Sequence, residues 1–255
     1  MLACTLKTMQ ETTMRKDWDG RAQDDALFWV MSKKDGWKTK EDYYASGRAD
    51  VEKYVLPFFA RHGIAPDDRF TALDIGCGTG RLVRALAAHC GHVTGIDIST
   101  EMIKRAREDN AHLTNVEWVV GDGTGLRPCP DAGVDFCFSF IVFQHIPSKR
   151  VVTSYFREIL RVLKPGGRAK FQLRGTPGNP PGKVLWYKGF NTFYIALTLW
   201  RRFLPLPWIH RYDTVYGACF ARTEVQKALE AVGFDEVSTY HETDRYLWAE
   251  VRKPR

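Results

Sequence analysis

The sequence predicts an α/β protein built on a doubly wound, mainly parallel sheet. A helical segment precedes the sheet, and an insert separates its fifth strand from its last helix. Three observations carry this prediction. From Phe70 onward, short β-rich runs alternate with helical stretches. Three glycines at alternate positions, Gly76, Gly78 and Gly80, join the first strand to the first helix of that series. Acids, Asp97 and Asp122, close the second and third strands. The expected organisation is a leader and helical segment over 1–66 and a core over 67–255, with the insert at about 175–221.

Taken in order, residues 1–15 read as a loose leader. Helical character runs from Arg15 to Gly63. The apolar cluster Ala26–Met31 comes first, then a helix over about Glu41–Arg61 that places Val51, Tyr54, Val55 and Phe58 at helical spacing. Gly63 and Pro66 break the chain. The alternating series follows as strand Phe70–Ile75, helix Arg81–Cys90, strand His92–Ile98, helix Thr100–Asn110 and strand Val116–Val120. It continues as strand Val134–Phe140, helix Lys149–Leu163 and strand Arg168–Leu173. Apolar strands of this kind predict a parallel sheet covered on both faces. Pro165-Gly166-Gly167 reads as a turn setting up the fifth strand. After the turn-rich residues 175–182, a helix over Thr223–Val232 ends at Gly233, and strands over about Glu236–His241 and Tyr246–Val251 close the chain.

Composition narrows the class. Of 255 residues, 44% are hydrophobic and 26% charged, which excludes a disordered or coiled-coil chain. Six cysteines form no CxxC pair and no zinc-ligand spacing. With no apolar secretory leader, the expectation is a reduced, cytoplasmic protein. The longest apolar run, Phe193–Trp200, is far shorter than a membrane span requires. The net charge of +7 is unevenly spread: residues 147–222 hold 14 basic and 2 acidic side chains.

The glycine loop carries the sharpest chemistry. Glycine allows a sharp backbone turn and close ligand approach where a Cβ would clash, and the following helix offers unpaired N–H groups. A dinucleotide fingerprint needs a third glycine where Arg81 stands, which argues against NAD and FAD. Asp74, just before the loop, suits a ligand with an amino group. Asp97, 21 residues beyond Gly76, is placed to accept two ribose hydroxyls. Asp122 is placed to accept from an exocyclic adenine amine, and Ile98 and Met102 to flank adenine.

The motifs LDIGCGTG, GIDIS, GDGTGL, the strand Val134–Phe140 running into Gln144-His145-Ile146-Pro147, and Leu163-Lys164-Pro165-Gly166-Gly167 occur in order. In this arrangement the chain resembles the class I S-adenosylmethionine-dependent methyltransferases of the small-molecule type. The resemblance covers about Phe70–Leu173 and the closing helix and strands. It implies a seven-stranded Rossmann-like sheet whose last strand is antiparallel, a helical cap and a lid formed by the amino-terminal segment and the insert, S-adenosyl-L-methionine as cofactor, and a transferase of class EC 2.1.1.-. The cofactor-binding residues it implies are Asp74, Gly76, Cys77, Gly78, Gly80, Asp97, Ile98, Met102, Asp122, Gly123 and Ser139.

His145 follows strand four, where an acceptor would lie, and an imidazole titrates near neutral pH, so it is the first candidate for a base. The competing role is to orient the loop or line the pocket. Strand four lacks the signatures of amino-methylating and cytosine-C5 DNA enzymes. Asp135 stands at the start of its strand rather than the end, so no metal is expected. Trp37, Tyr43 and Tyr44 are candidate pocket aromatics. Arg48 is a candidate for the cofactor carboxylate, although it reads first as a surface ion pair.

The insert is rich in aromatic and basic residues, among them Trp186, Tyr187, Trp200, Lys183, Arg201 and Arg202. It suits packing, an apolar acceptor pocket or, over 183–212, peripheral membrane or lipid contact. No nucleic-acid recognition module is visible. The expected partner is therefore a small, apolar or aromatic acceptor. The alternatives are a lipid acceptor at a membrane surface and a cofactor-binding protein without transfer activity.

Overall fold

The computed structural model describes residues 2–31, 37–176, 217–243 and 245–255, with side chains from Met14 onward. Strand β1 (Thr71–Ile75) lies inside a seven-stranded sheet. It pairs in parallel with β2 (His92–Asp97) on one side and β4 (Val134–Ser139) on the other. β3 (Val116–Val120) extends the first side and β5 (Leu163–Arg174) the second. β7 (Tyr246–Arg252) runs antiparallel to both β5 and β6 (Asp235–Thr243). The order is β3-β2-β1-β4-β5-β7-β6; the seven strands and the antiparallel last strand are what the resemblance implied. The chain leaves β1 for β2 and β3 and then returns to β4 on the opposite side. The carboxyl ends of β1 and β4 therefore flank a crevice, where open α/β sheets bind ligands.

Helices cover both faces. α4 (Arg81–Leu86), α5 (Thr100–Asp109), α6 (Lys149–Val162) and α7 (Arg222–Val232) follow their strands. Ser99 caps α5 by accepting Met102 N at 3.0 Å, and Ser148 caps α6. On α6 the buried residues Val152, Tyr155, Phe156 and Ile159 recur at intervals of three and four and complete the core on one sheet face with α7. The other face packs on Val83 and Leu86 of α4 and on the amino-terminal helices.

Three departures from the sequence reading stand out. Residues 2–15 are helical, not a loose leader: α1 runs Leu2–Met31. It is broken at Asp25, whose extended backbone (φ −154°) and Oδ1, accepting Phe28 N at 3.0 Å, restart the helix. The expected helix over 41–61 is two, α2 (Lys40–Tyr54) and α3 (Leu56–Arg61), because Pro57 has no N–H to continue the ladder and suits a first turn instead. Pro165-Gly166-Gly167 lies inside β5 as a bulge: Gly166 takes φ +78° and donates to Lys253 O, and Lys253 N returns to Gly167 O.

The insert is described only at its roots. Thr176 N donates to Phe220 O and Phe220 N to Arg174 O, both at 2.9 Å, and Gly217 N and Ala218 N donate to Gln144 O and Ile146 O. The aromatic and basic residues expected to form a lid, and the stretch 183–212, lie outside the described residues. Among the described residues, no helix is long and apolar enough to cross a membrane.

Candidate active site

The chain turns at the end of β1 through Gly76 (φ +76°), Gly78 (φ +53°) and Gly80 (φ +86°). A Cβ at Gly76 would lie 2.4 Å from Val142 Cγ2, and one at Gly80 2.4 Å from the Trp118 ring. Both positions thus require glycine for conformation and for space. Gly76 N and Cys77 N donate to Ile96 O at 2.7 and 3.0 Å, and Gly78 N donates to Asp97 Oδ2 at 2.9 Å. The loop is pinned to the end of β2, and those three amides are already engaged.

Asp97 is the hub of this arrangement. Its Oδ1 accepts Ser99 N at 2.8 Å and its Oδ2 accepts Gly78 N, leaving a lone pair on each oxygen. Burial raises its pKa, and the Ser99 and Gly78 amides oppose that shift. Asp74 lies beneath the loop, 1% exposed, and its Oδ2 has no hydrogen-bond partner. Burial pushes its pKa up to about 7, against the pull of the Arg81 charge and with reinforcement from Asp97. Burial also holds the Cys77 thiol well above the ordinary range.

These elements open onto one cavity of about 890 Å³, mouth included. Gly76, Cys77, Gly78, Asp97, Ile98, Met102 and Gly123 line it. Gly123 (φ +79°) passes beneath Ile98, where a Cβ would lie 2.2 Å from Ile98 Cδ1. Phe140, Ile141, Val142, His145, Ile146 and Tyr155 line it too, with Val142 against Gly76. Three consecutive residues reach this wall because Ile141 takes φ +63°, a left-handed conformation that is strained for a β-branched side chain. The His145 ring meets the Trp18 ring edge-on, with centroids 5.4 Å apart. Among the described residues, no cluster of three metal-ligating side chains is present.

Other expected site residues stand elsewhere. Asp74, Gly80, Asp122 and Ser139 are not in the cavity wall. Ser139 Oγ donates to Ile75 O at 2.9 Å and ties β4 to β1. Asp122 turns its Oδ1 to its own loop, accepting Thr124 N, Thr124 Oγ1 and Gly125 N at 2.8–3.1 Å. Tyr43 and Tyr44 pack beside the glycine loop on α2 rather than in the pocket. Tyr43 Oη lies 2.7 Å from Thr79 Oγ1, and Trp37 packs edge-on against Tyr43. Arg48 is a surface ion pair, donating to Glu41 at 2.9 Å.

The sequence reading missed the contribution of α1. Met14, Trp18 and Val30 line the cavity. Arg15 Nη2 donates to Gly121 O at 2.9 Å, and Asp19 Oδ1 accepts from Ser99 Oγ at 2.6 Å and from Glu101 N at 3.2 Å. The signal was present: Met14, Trp18, Ala22 and Ala26 recur every four residues, and all but the partly buried Trp18 are buried. Tyr155 and Arg81, also in the wall, were not singled out as lining residues.

A family model described as a methyltransferase domain matches residues 73–171. The biotin biosynthesis bifunctional protein BioHC of Cellvibrio japonicus is 30% identical over 185 residues, covering 72% of this chain and 32% of that protein. The 2-methyl-6-phytyl-1,4-hydroquinone methyltransferase of Synechocystis is 41% identical over 98 residues, covering 38% of this chain and 30% of that one. The chain thus spans about a third of the length of these two curated relatives. Magnesium protoporphyrin IX methyltransferase from Synechocystis shares the fold, with a TM-score of 0.61 at 16% identity over 95% of this chain and 99% of that one. The strand order, the pinned glycine loop and the family match together identify residues 73–171 as a methyltransferase domain.

Proposed function

We propose that the protein transfers a methyl group from S-adenosyl-L-methionine to an oxygen, nitrogen or carbon of a small, apolar or aromatic acceptor. The observation that carries this reading is that the glycine loop, Asp97 and His145 border the same cavity. The residues present fit such a cofactor. Asp97 keeps two lone pairs for ribose hydroxyls, Ile98 and Met102 offer apolar faces for a base, and Asp74 holds a buried oxygen without a partner. Gly80, Ser139 and Asp122 act here by shaping the loops around the cavity.

When bound, the cofactor supplies a sulfonium-activated methyl group for in-line displacement. The chain's own contribution is positioning and exclusion of water. Phe140, Ile141, Val142 and Ile146 form an apolar wall that holds the acceptor; alignment of this kind supplies several kcal/mol of a barrier, and a dry site strengthens fixed electrostatic contacts. His145 is the base that takes the proton of an acceptor hydroxyl or amine.

The test is incubation of the purified chain with labelled methyl donor and a panel of phenols, hydroquinones, amines and lipids. Label on an apolar or aromatic acceptor supports the reading. Donor binding without transfer to any member leaves a cofactor-binding protein instead. The basic, aromatic stretch 183–212 favours a second acceptor source, a lipid at an anionic surface. Farther along the chain, Gly217 and Ala218 pair with the backbone on either side of His145. Transfer that requires anionic vesicles distinguishes this source from a free small molecule.

A further inference from the structure

Among the described residues lining the cavity, Arg81 alone carries a permanent positive charge. It is 2% exposed. Its Nη1 donates to Ser46 Oγ at 3.2 Å and Asp50 Oδ2 at 2.6 Å, both on α2. Its Nε is buried with no hydrogen-bond partner, and no described residue accepts from Nη2. A guanidinium buried with this much donor capacity unused is destabilising unless something else accepts from it. Nε and Nη2 share one edge of the guanidinium, and their parallel N–H groups match the two oxygens of a carboxylate. The residue is also fixed in place. A Cβ at Gly47 of α2 would lie 2.2 Å from Arg81 O, so the two backbones are in direct contact.

The glycine loop is therefore bracketed by two incomplete groups of opposite sign. At 74 a buried carboxyl oxygen lacks a donor, and at 81 the buried Nε of a guanidinium lacks an acceptor. An α-amino acid carries the complementary pair of charges, and the proposed cofactor ends in one. We propose that Arg81, positioned by Asp50 and Ser46, receives the carboxylate at the amino-acid end of the cofactor through its Nε–Nη2 edge. This rests on the cofactor reading above and gives Arg81 the role for which Arg48 was the sequence candidate.

The test compares two ligands by equilibrium dialysis: S-adenosylhomocysteine, and 5′-methylthioadenosine, which keeps the nucleoside and thioether but has no amino-acid end. In Arg81→Met the affinity for S-adenosylhomocysteine falls by about 10- to 100-fold, the range for a lost charge-assisted hydrogen bond. The affinity for 5′-methylthioadenosine stays within about twofold. The double variant Asp50→Asn/Arg81→Met leaves no bare buried carboxylate and gives the same split if the single variant folds poorly. Equal loss of both ligands, or an unchanged affinity for S-adenosylhomocysteine, overturns the assignment while the cofactor reading stands. Failure of the unaltered protein to bind S-adenosylhomocysteine overturns both.

Discussion

Asp74→Asn isolates the cost of keeping a carboxyl group under the glycine loop. The side chain is 1% exposed, its Oδ2 has no partner, and burial moves its pKa from 3.8 to about 7. Because the folded state holds this proton more tightly than the unfolded chain does, the stabilisation is complete below pH 3.8 and is lost as pH rises toward about 7. A gap of roughly three pH units, at about 1.36 kcal/mol each, makes the ionised group cost up to about 4 kcal/mol above neutrality. Asparagine has nearly the same shape and does not ionise. Urea unfolding of both proteins between about pH 4 and 8 is the assay, and the stability difference should move toward the variant by up to about 4 kcal/mol across that range. The same variant should bind S-adenosylhomocysteine more weakly, since an unpartnered acid is retained for a ligand and not for the fold. A difference that does not change with pH, or that moves toward the aspartate as pH rises, refutes the reasoning.

Two further substitutions probe the wall of the site. Asp97→Asn keeps one carbonyl oxygen for two backbone donors, Gly78 N and Ser99 N, so one N–H is left facing an amide nitrogen. A loss of about 1–3 kcal/mol follows, lessened by removal of a buried charge, and calorimetric melting should show a lower Tm together with weaker S-adenosylhomocysteine binding. Unchanged Tm and affinity would remove Asp97 from its hub role. His145→Gln should lower kcat on a hydroxyl or amine acceptor by about 100-fold or more and abolish the acidic limb of the pH–rate profile, with cofactor affinity unchanged. A fall below about tenfold with the profile intact would make His145 an orienting residue.

The order of strands and helices from Phe70 onward was legible because β1 and β4 are buried and mainly apolar and β5 alternates Ala169, Phe171 and Leu173 with polar residues, while Ser99 and Ser148 mark helix starts. The glycine loop and Asp97 were legible for the same reason: their chemistry is local to a strand end. Residues whose role depends on distant partners were not. Trp18 and Met14 line the cavity from α1, and their four-residue spacing marks a helix face without telling what that face covers. Arg81 looked like the mere absence of a glycine until α2 supplied Asp50 and Ser46. Asp122 also serves its own turn, since Asp-Gly-Thr-Gly is a turn sequence and its Oδ1 accepts the loop amides.

The central claim is that the bend after Ile75 and the acids around it cradle an adenosyl sulfonium. Isothermal titration calorimetry of the intact chain with S-adenosylmethionine and with S-adenosylhomocysteine tests it most directly. The account predicts saturable, one-to-one binding of both. No heat from either ligand, in a sample whose circular dichroism shows the fold intact, would contradict it.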